Sequence, residues 1–147
     1  MVVRDYNPND FEEVVKMYHS LVVEIYKNHK IKPIQYFYTN VIRWLEFKYD
    51  IIITEHNGKI TGFALGFIDA MGGIVDDYYQ AEIVYVKPKY RKSRSAYLLI
   101  HTLVNYADNL GLLIAANASE VTESSKIVNK LGTKTYTHYE RLPNESK

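Results

Sequence analysis

"AEIVYVKPKYRKSRSAYLLI", residues 81–100, changes its period twice. Up to Val86 it alternates as a strand does, which places Glu82, Val84 and Val86 on one side and Ala81, Ile83 and Tyr85 on the other. Pro88 lacks the N–H that a sheet ladder needs, so the strand stops there. From Ala96 onward the apolar residues fall three and four apart: Ala96, Leu99, Ile100, Leu103, Val104 and Ala107 form one face of a helix. Gly111 sits where a left-handed C-terminal cap belongs. Between the two periods lie Lys87, Lys89, Arg91, Lys92 and Arg94. A strand runs through a short basic turn straight into a helix.

Upstream, "YYQ" extends the strand, and "IIITEH" and "ITGFALGFIDA" flank Asn57 and Gly58. An Asn-Gly pair between two β-rich runs marks a tight hairpin, because both turn positions take positive φ. Before that hairpin the period is helical. Phe11, Val14, Val15, Tyr18, Val22 and Ile25 form one apolar stripe, and Ile34, Phe37, Val41, Trp44 and Leu45 form a second that frays toward Lys48. "MVVRDY" reads as a first strand, followed by Asn7-Pro8 or an Asn9/Glu12 capping box at the helix start. Downstream, "LLIAANA" reads as a buried strand, "SEVTESSKIVNKLG" as a helix ending at Gly132, and "TKTYTHYERL" as a last strand. The order is β-α-α-β-β-β-α-β-α-β. No change of composition marks a linker, so residues 1–147 are expected to form one α/β domain around a single mixed sheet.

The whole-chain numbers exclude several classes. Eighteen basic and 17 acidic residues leave a formal charge of +1, so the net field gives no pull toward nucleic acid or a membrane. Without cysteine there is no disulfide framework, thiolate zinc site or cysteine nucleophile. His19, His29, His56, His101 and His138 show no ligand spacing, and no metal site is expected. The N-terminus lacks a basic region followed by an apolar run, and no apolar run approaches the roughly 18 residues of a membrane span. A cytoplasmic location is the expectation. Neither a G-x-S-x-G elbow nor a P-loop is present.

The basic turn carries the chemistry. The first N–H groups of a helix point outward unpaired with partial positive charge behind them, and such an end binds anions. Ser93, Ser95 and Ala96 are small enough to admit a phosphate, and Arg91, Lys92 and Arg94 can neutralise it. A solvated basic turn fits the same residues. So does a nucleic-acid surface over residues 87–94, which predicts a steep salt dependence.

The chain resembles the GNAT superfamily of N-acetyltransferases. The resemblance spans nearly its full length and is sharpest in "AEIVYVKPKYRKSRSAYLL", which is similar to the family's strand, V-x-P step and Arg/Gln-x-x-Gly-x-Gly/Ala loop. Val86 and Pro88 supply the step, Arg91 the Arg/Gln position and Ala96 the last small position, while Arg94 stands at the central glycine. The resemblance implies a mostly antiparallel mixed sheet flanked by helices, with acetyl-coenzyme A as cosubstrate and its pyrophosphate on the amides of residues 91 to 96. It also implies that the backbone of Val84, Tyr85 and Val86 meets the pantetheine arm, with Asn117 beside it.

Glu82 matches the place of the family's glutamate base, which would take a proton from a substrate ammonium. The tyrosine that often protonates the leaving thiolate is replaced by Val128, and Tyr79, Tyr85, Tyr136, Tyr139 or water are candidate substitutes. Asp69, Asp76 and Asp77, with Tyr36, Tyr38, Tyr78 and Tyr79, could receive a cationic amine acceptor. The resemblance extends to short phage and bacterial members, which would place a phage protein in the host cytoplasm, and to homodimers. Arg94 and Val128 also leave open a GNAT-shaped binding or structural module without catalysis.

Overall fold

The computed structural model describes residues 1–69 and 77–116. Their order is β1 (Val2–Asp5), α1 (Phe11–Ile25), α2 (Ile34–Glu46), β2 (Asp50–His56), β3 (Lys59–Asp69), β4 (Tyr78–Val86), α3 (Ser95–Leu110) and β5 (Ile114–Ala116). This reproduces the first eight elements read from the sequence. The expected final helix and strand lie outside the described residues, as do Asp76, Asn117, Val128, Tyr136 and Tyr139. No helix among the described residues is long and apolar enough to cross a membrane.

The five strands lie side by side in chain order, antiparallel from β1 to β4 and parallel between β4 and β5. The hairpin turns at Asn57 and Gly58, with φ of 52° and 77°, and Gly111 caps α3 at φ 69°. The capping box sits on the 3-10 turn Pro8–Asp10 that leads into α1: it uses Asn7, and the reciprocal partner is Asp10 rather than Glu12. The Asn9 N–H donates to Asn7 Oδ1 at 2.9 Å and the Asn7 N–H to Asp10 Oδ2 at 2.8 Å. Arg4 adds two bonds to the Asp10 carboxylate, at 2.8 and 2.9 Å, and one to Glu55 at 3.0 Å. Burial works to raise the Asp10 pKa, but these donors outweigh it and hold the carboxyl below its ordinary range.

Each face of the sheet has its own core. On one, α1 and α2 cover Ile51, Ile53, Phe63, Leu65 and Tyr85 with Val14, Val15, Met17, Phe37 and Val41, and many aromatic rings surround this cluster. On the other, α3 sets Leu99, Leu103 and Ala107 against Ile52, Ala64, Tyr79, Ala81 and Val86. Gly66 is fixed by this second core, because the Tyr79 ring crosses it so closely that an added Cβ would lie 2.7 Å from ring carbons. The Tyr79 hydroxyl donates to Asp50 at 2.7 Å.

Candidate functional site

The sheet departs from strict alternation at one place in β4. Leu65 faces Ile83 and Gly66 faces Ala81, so Glu82 is an extra residue with no partner on β3. Alternation is therefore broken where the sequence reading relied on it. Ala81 joins Val84 and Val86 in the α3-side core, while Ile83 and Tyr85 belong to the α1/α2 side. Glu82 does not share the side of Val84 and Val86. The bulge turns it toward the α1/α2 side, where its charge acts on the Tyr18 phenol of α1.

Glu82 keeps solvent access. Protein packed around its carboxyl nevertheless raises its pKa, and the nearby negative charge of Asp69 adds to the shift. Asp69 pairs across the strands with Tyr78, whose hydroxyl donates to it at 3.1 Å. Gln80 lies between Tyr78 and Glu82, opposite Phe67. Tyr18 packs on Phe37 and Trp44, with ring centroids 5.0 and 4.8 Å apart, and accepts a bond from Asn40 Nδ2 at 3.3 Å. Burial raises the Tyr18 pKa most, with smaller contributions from Tyr36 and Glu82. One end of the sheet thus gathers Glu82, Gln80, Tyr78, Asp69, Tyr18, Asn40 and Tyr36.

Tyr18 and Asn40 were not marked by the sequence, because one counted as stripe and the other as helix surface. Gln80 carried no signal either. Its burial is the signal, and burial needs the fold. Tyr79 was a candidate acceptor wall and acid, but it stands in the α3-side core with its hydroxyl given to Asp50. Tyr38 points to Glu12 at the start of α1. Tyr85 lies under the Arg91 guanidinium, 5.5 Å from its ring centroid, and burial raises its pKa.

β5 as described ends at Ala116, opposite Ala81. β5 pairs with Tyr79, Gln80 and Ala81 only, so from Glu82 to Val86 the outer edge of β4 has no strand partner among the described residues. This edge leads to the basic turn, which is a 3-10 turn (Pro88–Tyr90) followed by α3. Ser95 is wholly buried and its hydroxyl shares a hydrogen bond with Thr61 at 2.8 Å, Thr61 donating in turn to Thr54 at 2.9 Å. The Ser95 N–H donates to Ser93 Oγ at 3.2 Å. These serines hold the turn against the sheet. The amides of Arg94, Ala96 and Tyr97 have no partner among the described residues, and Leu98 is the first to bond back into the helix, to Arg94 O at 3.0 Å.

The five cations divide. Lys87 pairs with Glu13 and Arg91 with Glu24, both on α1, and Arg91 also donates to the Val86 carbonyl at 2.9 Å. Lys92 is exposed, Lys89 lies over Tyr90, and Arg94 lies over Tyr97 at 5.8 Å. Arg94 has φ −82° and ψ 3°, the negative-φ conformation of a turn position, so its place in the turn does not demand glycine.

The model of the acetyltransferase (GNAT) family matches residues 14–131. Three solved structures are similar in fold. A ribosomal-protein-alanine N-acetyltransferase from Brucella melitensis biovar Abortus 2308 has 15% identity and a TM-score of 0.73, with 97% of this chain and 99% of that chain covered. For a predicted acetyltransferase with acetyl-CoA from Clostridium acetobutylicum the values are 17%, 0.72, 99% and 97%. For an aminoglycoside antibiotic 6'-N-acetyltransferase from Acinetobacter haemolyticus they are 15%, 0.70, 97% and 99%. No curated protein matches the sequence.

Proposed function

The chain belongs to the acetyltransferase (GNAT) family, and from that premise we propose that it transfers acetyl from acetyl-coenzyme A to a primary amine with Glu82 as general base. The observation that carries the reading is the bulge. It leaves one carboxylate with a raised pKa on a residue unpaired with β3, just past the last described pairing of β4 with β5.

The described residues suit the cosubstrate at both ends. The β4 edge from Glu82 to Val86, without a strand partner among the described residues, offers backbone groups of Val84, Tyr85 and Val86 to the amide-bearing arm of coenzyme A. The amides of Arg94, Ala96 and Tyr97 offer donors to the pyrophosphate, with Lys92 and Arg94 supplying positive charge. Ser93, Ser95 and Arg91 contribute by shape, since their side chains are used to hold the turn to the sheet and to α1. Because α1 neutralises Lys87 and Arg91, the turn presents a compact anion site rather than a broad cationic patch, which weighs against a nucleic-acid surface.

In the reaction Glu82 accepts a proton from the substrate ammonium, and the neutral amine attacks the thioester carbonyl. The new N–C bond forms as the C–S bond breaks. The attacking nitrogen sheds its second proton, which passes through water to the departing thiolate, a step made easy by a thiol pKa of about 8.5. Glu82 then returns its proton to solvent. A raised carboxyl pKa improves a base working near neutrality, because its conjugate acid holds the proton more firmly.

The test is a calorimetric titration with acetyl-coenzyme A, followed by thiol release across a panel of amines. Glu82→Gln should bind coenzyme A as the parent does and lose about 100- to 10,000-fold in turnover. Absence of binding at millimolar cosubstrate would end the reading, and unchanged turnover in the variant would remove Glu82 from it.

A further inference from the structure

Gln80 is 8% exposed, and its Nε2 is buried with no hydrogen-bond partner among the described residues. Buried side-chain amides are bonded in nearly all native structures, and an orphaned N–H group is costly, so its retention calls for a ligand that completes it. The neighbours on β4 fix where that ligand lies. Tyr79 and Ala81 both belong to the α3-side core, so Gln80 between them turns to the opposite side, that of Tyr78 and the bulged Glu82. Gln80 and Glu82 thus stand two residues apart on one face, roughly 7 Å along the strand.

An amide N–H can only donate. The ammonium that Glu82 would deprotonate also offers only donors, so it cannot satisfy Gln80. The missing partner is an acceptor oxygen carried close to the reactive nitrogen. Two side chains rooted roughly 7 Å apart can converge on a nitrogen and an oxygen three bonds from each other, as in N–C–C=O or N–C–C–OH. A protonated aliphatic diamine has no such oxygen. The carbonyl fits better than the hydroxyl, because it presents acceptor capacity alone to a group that presents only donors.

Resting on the reading of Glu82 as base, we propose that Gln80 recognises an oxygen on the carbon next to the amine-bearing one, so that the substrate is an α-amino amide, the chemistry of a peptide N-terminus. Phe67 opposite Gln80, and Tyr78 and Asp69 at the strand end, line the same face and suit a short polar head group.

The experiment compares alaninamide, ethanolamine and butane-1,4-diamine as acceptors in the parent, Gln80→Leu and Gln80→Glu. Ratios of kcat/KM between proteins cancel the intrinsic reactivity of each amine. Gln80→Leu should lose about tenfold on alaninamide, mainly through KM, and change less than about twofold on the diamine. Gln80→Glu, which replaces the donor by an acceptor, should shift preference toward the diamine. Tm of Gln80→Leu should not fall, because leucine replaces an amide that has no partner among the described residues. Equal losses on all three amines, or a lowered Tm with no change in selectivity, would overturn the proposal in favour of a structural role. A loss on ethanolamine as large as that on alaninamide would replace the carbonyl by a hydroxyl and overturn the peptide assignment. Calorimetry of alaninamide into the coenzyme A-loaded protein separates the two readings. Binding that Gln80→Leu abolishes, without turnover of any amine, supports this inference and ends acetyl transfer; absence of binding ends this inference even if other amines are acetylated.

Discussion

Asp10 is buried and Glu82 keeps solvent access with protein packed against its carboxyl, and their neighbourhoods treat the two acids in opposite ways. Around Asp10 every strong donor is engaged: Arg4 grips both oxygens, the Asn7 amide adds a third bond, and the pKa is held down. Around Glu82 the protein packed against its carboxyl and the charge of Asp69 push the pKa up, and the nearby Gln80 amide lacks a partner among the described residues. The first region secures the crossing from β1 to α1. The second carries a polar group, Gln80 Nε2, that no described residue satisfies. Unfinished electrostatics of this kind distinguish a working surface from a structural one.

The contrast is most easily broken by substitution. Asp10→Asn should lower stability by about 2 to 3 kcal/mol, because it strips a buried acceptor from Arg4, and thermal unfolding should record a Tm fall of roughly 5 to 10 °C. Glu82→Gln should leave Tm at or slightly above the parent value. If both variants lost stability alike, the two sites would not differ in kind.

Acid sharpens the contrast. The depressed pKa of Asp10 contributes stability that is present above the unfolded carboxyl value and lost as pH falls through the folded one. The raised pKa of Glu82 has the reverse sign: its cost is present above the folded pKa and relieved as pH falls through it. On acidification from pH 7, the Tm advantage of Glu82→Gln should therefore vanish first, and the deficit of Asp10→Asn should close at lower pH. Turnover should rise with pH through the Glu82 transition. The smallest effect belongs to the turn. Arg94→Ala should weaken coenzyme A binding by about threefold at low salt and less at high salt, because its charge is exposed and screened.

What could be read from the sequence was whatever the local backbone enforces. Asn57-Gly58 and Gly111 were legible because positive φ restricts the residue types allowed there. Glu82 was legible as a residue of interest but not in its direction, since counting by two cannot foresee an extra residue in the strand. Arg91 reads as an anion ligand until the chain folds and brings Glu24, 67 positions away, against it. Tyr18, Asn40 and Gln80 acquire meaning only when α1 and α2 settle on the sheet, because their roles rest on burial and neighbours from other elements. Arg94 at the glycine position could be read from the sequence either as a block or as an added contact, and its backbone there has negative φ, which does not demand glycine.

The pairs Lys87 with Glu13 and Arg91 with Glu24 fasten α1 to the turn at points eleven residues apart on the helix, three turns and about 16 Å, so both acids lie on one side of it. A rod bolted at two points cannot pivot about either. Tyr18 rides on that rod between the bolts, so the wall that faces Glu82 and the turn that precedes α3 form a single frame, and loosening one bolt would let the wall swing without touching any residue of the site.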